Sequence, residues 1–159
     1  TRVPLLERLK TAVKAGLHYA GWYPKQWLPV LSCGMSDLNP KFKSYMVYVR
    51  NTSKRLARTL FHQMIRFGPK LDKQQLLLSR LTEIGTELFV ITATVLKANN
   101  TLKVESDRDE LFDLVESVYD NAERRIEAGF DQVSCNNNQA NHTFGKKILK
   151  REYKFLETI

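Results

Sequence analysis

Chemistry in this chain would have to come from its three histidines, two cysteines and its carboxylates. His18, His62 and His142 fall on three different stretches and share no ligand spacing with one another or with an acid, so they read as surface or boundary residues rather than a zinc site. Cys33 and Cys135 lack C-x-x-C spacing and nearby histidines, and two distant cysteines make no disulfide framework; they read as free thiols of a reducing compartment. Asp109, Asp113 and Glu116 recur at steps of three and four, which describes a solvated helix face more simply than a general acid–base pair. No phosphate-binding loop, dinucleotide fingerprint or nucleophile elbow occurs. No catalytic, cofactor-binding or metal-ligating residue is therefore assigned.

Charge and aromatic residues carry the remaining signal. The net charge is +8, and it is unevenly spread. Residues 1–70 hold 13 Lys/Arg against two acids, +11, while residues 71–159 hold 12 against 15, −3. A basic half favours anionic partners: lipid head groups, nucleic acid, a nucleotide-bearing cofactor or an acidic protein surface. Three groups stand out within it. Arg8, Lys10 and Lys14 sit near the start, Trp22, Tyr23, Trp27 and Leu28 lie between Pro24 and Pro29 or beside them, and Arg50, Lys54, Arg55 and Arg58 follow.

The elements that must position these groups are helices. Leu5, Leu6, Leu9, Val13, Leu17 and Ala20 recur at helical spacing with the cations between them, so Pro4 to Tyr19 reads as a basic amphipathic helix. Gly21 to Leu31 reads as a connector, because its two prolines oppose regular helix. A second helix starts at Asn39-Pro40, a cap residue followed by proline, and stops at Phe67-Gly68-Pro69. Its outer face carries Arg50, Lys54 and Arg58, with Arg55 flanking. A third helix is predicted from Asp72 to Ala98, ended by Asn99-Asn100, with Gly85 admitting a close neighbour. A fourth runs from Ser106, a plausible cap, to Ala128 and is closed by Gly129; a polar loop, Asp131 to Asn141, leads to a last basic helix around Phe144 to Leu156. The fold class is all-α, an antiparallel up-and-down bundle of four to five helices over residues 39–159, preceded over 1–38 by the basic helix and the Trp/Pro-rich connector. The longest apolar runs, such as Leu88 to Ile91, fall far short of the roughly 20 residues that span a bilayer.

Ile84-Gly85-Thr86-Glu87 looks like a loop motif of a flavin enzyme, but here it lies inside an apolar helix. Gly85 is then a packing residue and Glu87 a flanking one, with no catalytic role.

The helical hairpin has recognisable text: Arg55-Leu56-Ala57-Arg58-Thr59-Leu60-Phe61, Arg66-Phe67-Gly68, Gln74-Gln75-Leu76-Leu77-Leu78-Ser79-Arg80-Leu81, Glu87-Leu88-Phe89-Val90 and Ala93-Thr94-Val95-Leu96-Lys97-Ala98. It resembles the extra C-terminal helical domain of the larger acyl-CoA dehydrogenases, the very-long-chain branch, over roughly Asn39 to Asn100. The resemblance implies a parent enzyme of fatty-acid β-oxidation that binds FAD and oxidises a long acyl-CoA to the 2-enoyl-CoA, a glutamate taking the α-proton and the flavin the hydride. That machinery belongs to a preceding portion, so no cofactor is expected in this chain, which alone should be inert. A start at Thr1, without methionine or a leader pattern, fits a fragment or processed product.

By the same resemblance the domain packs on the catalytic portion of the same protein, shapes a homodimer, and contributes a basic stretch, by position Arg2 to about Leu38, that holds the enzyme on an anionic membrane surface. The compartment would be a bacterial cytoplasm or a mitochondrial matrix, with the enzyme peripheral at the inner membrane. Arg8, Lys10, Lys14, Trp22, Tyr23, Trp27 and Leu28 would then contact membrane or catalytic portion. The competing expectation is a stand-alone basic module that binds nucleic acid or an acidic protein through Arg50, Lys54, Arg55 and Arg58, although no recognition motif of the nucleic-acid families accompanies them. Proline-held aromatics serve equally as a core plug or as interfacial anchors.

Overall fold

The computed structural model describes residues 14, 19–26, 35–104, 108–135 and 138–153, the last without the side chains of 138–142. The described elements are helical: a 3-10 turn at Pro40–Phe42, α1 (Lys43–Phe67), a 3-10 link at Gly68–Lys73, α2 (Gln75–Val104), α3 (Glu110–Ser134) and α4 (Asn138–Leu149). A helical segment over 19–25 precedes them. The all-α bundle expected from the sequence is what forms.

Local chemistry explains the 3-10 turn that leads into α1 and the end that closes it. Asn39 accepts a hydrogen bond from the Lys41 amide on its side-chain oxygen, and Pro40 supplies the fixed φ that a first turn needs. At the other end Gly68 adopts φ +51°, where a side chain would be strained, and its amide closes on the Met64 carbonyl.

Pair contacts give the topology directly. From α2 to α3, Arg80 reaches Gln132, Ile84 lies against Gly129 and Glu87 meets Arg125, so the two helices run antiparallel. From α1 to α3, Phe42 just before α1 meets Phe112, Tyr48 meets Tyr119 and Arg55 meets Glu127, so these two run parallel. The three helices go up, down and up around one core. Ile84, Leu88, Ile91 and Val95 of α2 pack there with Val115, Ala122, Ile126 and Phe130 of α3 and with Phe42 and Val49. A smaller cluster of Leu77, Leu81 and Val133 closes the far end. Each such aliphatic side chain contributes roughly 1.5–3 kcal/mol by leaving water.

Several boundaries differ from the sequence reading. Asn99-Asn100 does not end α2, which continues to Val104. Asn99 is buried, its amide oxygen accepting from the Asn39 amide at 2.9 Å and its nitrogen donating to the Asp37 carbonyl at 3.3 Å. The side chain that usually competes with its own helix backbone is occupied by the loop ahead of α1. Gly129 likewise does not close α3, which begins at Glu110 and ends at Ser134, so Asp131 to Ser134 is helix and not loop. A methyl group at Gly129 would stand 2.8 Å from Ile84 Cγ1, whereas at Gly85 it would meet only Leu56 Cδ2 at 3.9 Å. The close-approach glycine is 129, not 85. The last helix starts at Asn138 and ends at Leu149, with Arg151 at φ +55°; Ser106, Phe155 and Leu156 lie outside the described residues.

Candidate interaction surfaces

The segment 19–25 is helical through Pro24, although the sequence reads as a connector there. Proline this close to a helix end removes one backbone donor and leaves the preceding turn intact, and the Gln26 amide then turns back to the Tyr23 carbonyl at 3.1 Å. The segment lies on α1. Tyr19, Trp22 and Tyr23 surround the Phe61 ring with centroid separations of 5.1, 5.9 and 5.2 Å, and the Tyr23 hydroxyl is 2.7 Å from His62 Nε2. Arg58 donates to the Gln26 carbonyl, placing a cation at the C-terminal end of this short helix, where the helix dipole favours it. Between the segment and α1 runs an open apolar groove lined by Tyr19, Ala20, Tyr23, Phe61, Met64 and Ile65.

Trp22 and Tyr23 are thus half-buried against α1, while Lys14 is exposed. Arg8, Lys10, Trp27 and Leu28 lie outside the described residues. Arg50, Lys54 and Arg58 stand at successive steps of four along α1, Arg50 exposed and Arg58 donating to the Gln26 carbonyl, while Arg55 turns the other way. Arg55 Nη1 donates to both oxygens of Glu127 at 2.8 Å, and the guanidinium stacks over the Phe130 ring at 3.9 Å. It stands three positions beyond the buried Thr52 and off the Arg50, Lys54, Arg58 line.

Glu87 pairs with Arg125 at 2.7 Å, which accounts for it as a structural carboxylate. Asp109, Asp113 and Glu116 are exposed. Among the described residues no group of three His, Cys, Asp or Glu could hold a metal ion, and no helix is long and apolar enough to cross a membrane. Cys135 is a free, exposed thiol.

Sequence reasoning missed one cluster. Tyr45, Tyr48 and Tyr119 meet between α1 and α3 with ring centroids 4.6 and 5.2 Å apart. The Tyr119 hydroxyl donates to Glu123 at 3.0 Å; burial first, and then the Glu123 carboxylate, push its pKa well above the ordinary tyrosine value. Burial also raises Tyr45, with Glu116 and Asp120 adding to the shift.

Sequences similar to this chain occur among proteins named as acyl-CoA dehydrogenases. The chain is 31% identical over 157 residues to the proteins named "Probable acyl-CoA dehydrogenase FadE10" of Mycobacterium tuberculosis and Mycobacterium bovis. The chain matches part of an acyl-CoA dehydrogenase. The alignment takes in 94% of this chain and only 24% of those relatives, so the chain spans about a quarter of their length, as a C-terminal domain of a large acyl-CoA dehydrogenase would. No family model matches it, and no solved structure does.

Proposed function

We propose that this chain is the noncatalytic C-terminal helical domain of an FAD-dependent acyl-CoA dehydrogenase of fatty-acid β-oxidation, and that it works by packing on the catalytic portion of the same protein. The single observation that carries this is the match along nearly the whole chain to a quarter of such proteins. The helical hairpin expected from the resemblance supports it, since the fold is the one a helical accessory domain would need. FAD belongs to the parent protein. Among the described residues the lining of the groove on α1 is apolar, with no cation to meet the diphosphate of that cofactor.

Two finer roles belong to the same proposal: shaping a homodimer, and favouring an anionic membrane surface through the basic first 38 residues. Arg8, Lys10 and Lys14 would each add about 1 kcal/mol near anionic lipid. The binding-module alternative is weakened by the commitment of Arg55 to Glu127 and of Arg58 to Gln26.

The test uses the full-length protein. It should purify with bound flavin and reduce an electron-acceptor dye when given a long-chain acyl-CoA, while residues 1–159 alone should do neither. A flavin-free, inactive full-length protein would sink the proposal. Sedimentation with anionic vesicles, lost at high salt and on changing Arg8, Lys10 and Lys14 to Glu, checks the membrane role; sedimentation unaffected by those changes rejects it.

A further inference from the structure

One line along α1 changes character part-way. Arg50, Lys54 and Arg58 stand at steps of four, and Phe61 and Ile65 continue the line at steps of three and four, so this side is cationic over its first half and apolar over its second. The segment 19–25 lies over the apolar half and runs antiparallel to α1: Gln26 is held at Arg58, Tyr23 at His62, and Tyr19 lines the groove with Ile65. The groove between the two helices has a volume of about 550 Å³, within the range of small-ligand sites, roughly 300–1,000 Å³. Its walls are fixed before any ligand arrives, by the Tyr23 hydroxyl 2.7 Å from His62 Nε2 and by Arg58 on the Gln26 carbonyl.

We propose that this groove binds a straight-chain fatty acid, its hydrocarbon chain between segment 19–25 and α1 and its carboxylate at the Arg58 end. The proposal does not depend on the parentage inferred above. The charge pattern selects the occupant. The lining is uncharged from Tyr23 and Phe61 to Tyr19 and Ile65, and the cations begin only beyond one end, with Arg58, Lys54 and, next to Gln26 in the chain, Lys25. A ligand must therefore be apolar along its length and anionic at its tip. Lys54 and Ile65 are eleven residues apart on one helix, about 16 Å of rise, a span that extended dodecanoate covers. A bilayer is a poorer occupant, because a helix that docks on lipid turns its apolar residues outward. Here Tyr23 and Phe61 face each other with ring centroids 5.2 Å apart, which encloses a single chain.

Dodecanoate with a diazirine at its methyl end, irradiated with the full-length protein, tests the proposal. Trypsin cuts after Arg58 and Arg66, so the label should concentrate on the peptide Thr59–Arg66, and excess unlabelled dodecanoate should compete it away. Label spread over exposed apolar sites without competition overturns the proposal. Label at this peptide that needs phospholipid vesicles assigns the face to a membrane and overturns it too. In titration calorimetry, Ile65→Asp should weaken dodecanoate binding about ten-fold or more, since the new carboxylate would lie in the apolar groove. Ile65 is 67% exposed, so the fold tolerates that change, and Leu114→Asp, at an exposed site on α3, is the control that should leave binding intact. Equal effects of the two variants reject the groove. Lys54→Gln should weaken binding roughly three- to five-fold, with a smaller effect at high salt. Methyl dodecanoate should bind more weakly than dodecanoate and without salt dependence; equal affinity of acid and ester defeats the assignment of the carboxylate to the cationic end.

Discussion

Helix α3 meets its two neighbours in different ways. Against α2 it is close and aliphatic: Gly129 lets Ile84 approach to a distance that any Cβ would block, and Ile91, Val115, Ala122 and Ile126 fill the rest. Against α1 the backbones stay further apart, and the space is taken by the Phe42–Phe112 and Tyr45–Tyr48–Tyr119 rings and by Arg55 on Phe130 and Glu127. Antiparallel helices joined by a short link can adjust into tight register, while the parallel pair meets only through long side chains. Dry, close packing resists change in volume; a wide seam of half-buried rings and an ion pair tolerates it.

The largest expected effect tests the close seam. Ile126→Ala should cost about 3 kcal/mol, the transfer term plus a cavity that the fully buried site cannot collapse. Tyr45→Ala at the wide seam should cost nearer 1 kcal/mol, since one half-buried ring pair is lost. Urea midpoints of residues 1–159 measure both, and equal losses would erase the distinction.

The same substitution at two glycines should then change sign. Gly129→Ala gains about 1 kcal/mol of helix propensity but drives a methyl into Ile84, with an overpacking cost of roughly 1–3 kcal/mol, so it should destabilise. Gly85→Ala meets only ordinary contact with Leu56 and should stabilise by about 0.5–1 kcal/mol. Combining Gly129→Ala with Ile84→Ala should be far less than additive, because the second change removes the obstacle. Stabilisation by Gly129→Ala would show that the seam is not tight.

Why one glycine was legible and the other was not follows from its surroundings. Gly68 is followed by Pro69, and the stripe of α1 stops there. Gly129 is followed by Phe130 and Val133, both buried, which continue the three-four stripe from Ile126. That continuation is a sequence signal that outweighs the glycine. Asn99 offers no such local sign, because its partners Asn39 and Asp37 come from some sixty positions away. The helix count, the apolar stripes of α2 and the caps of α1 were legible since each is a local pattern. The basic face was half legible: Arg50, Lys54 and Arg58 follow a four-step line, but tertiary contacts decide that Arg58 holds Gln26 and Arg55 holds Glu127.

Arg55 sharpens the contrast at intermediate scale. Both partners of its ion pair keep more than a third of their side chains exposed, so solvent screens it. Arg55→Lys keeps the charge but loses the double contact and the stacking on Phe130, and should cost about 0.5–1 kcal/mol, shrinking with added salt. A double-mutant cycle with Glu127→Gln measures the coupling, and a coupling independent of salt would mean the seam is drier than its exposure suggests.

The smallest effect is absent at neutral pH. Tyr45, Tyr48 and Tyr119 all have pKa values raised on folding, chiefly by burial, so the folded state holds their protons more tightly than the unfolded chain. A raised value means the associated stability is fully present below the unfolded value near 10 and is lost as pH climbs through the folded one. The unfolding midpoint should therefore fall above about pH 10. Tyr119→Phe should flatten that fall, because Tyr119 has the large shift and its hydroxyl donates to Glu123, a bond that ionisation would turn into repulsion. Ile126→Ala, at the aliphatic seam, should lower the whole curve without changing its shape. If both variants merely shift the curve, the alkaline response does not come from the rings between α1 and α3, and the chemical difference drawn between the two seams would reduce to packing alone.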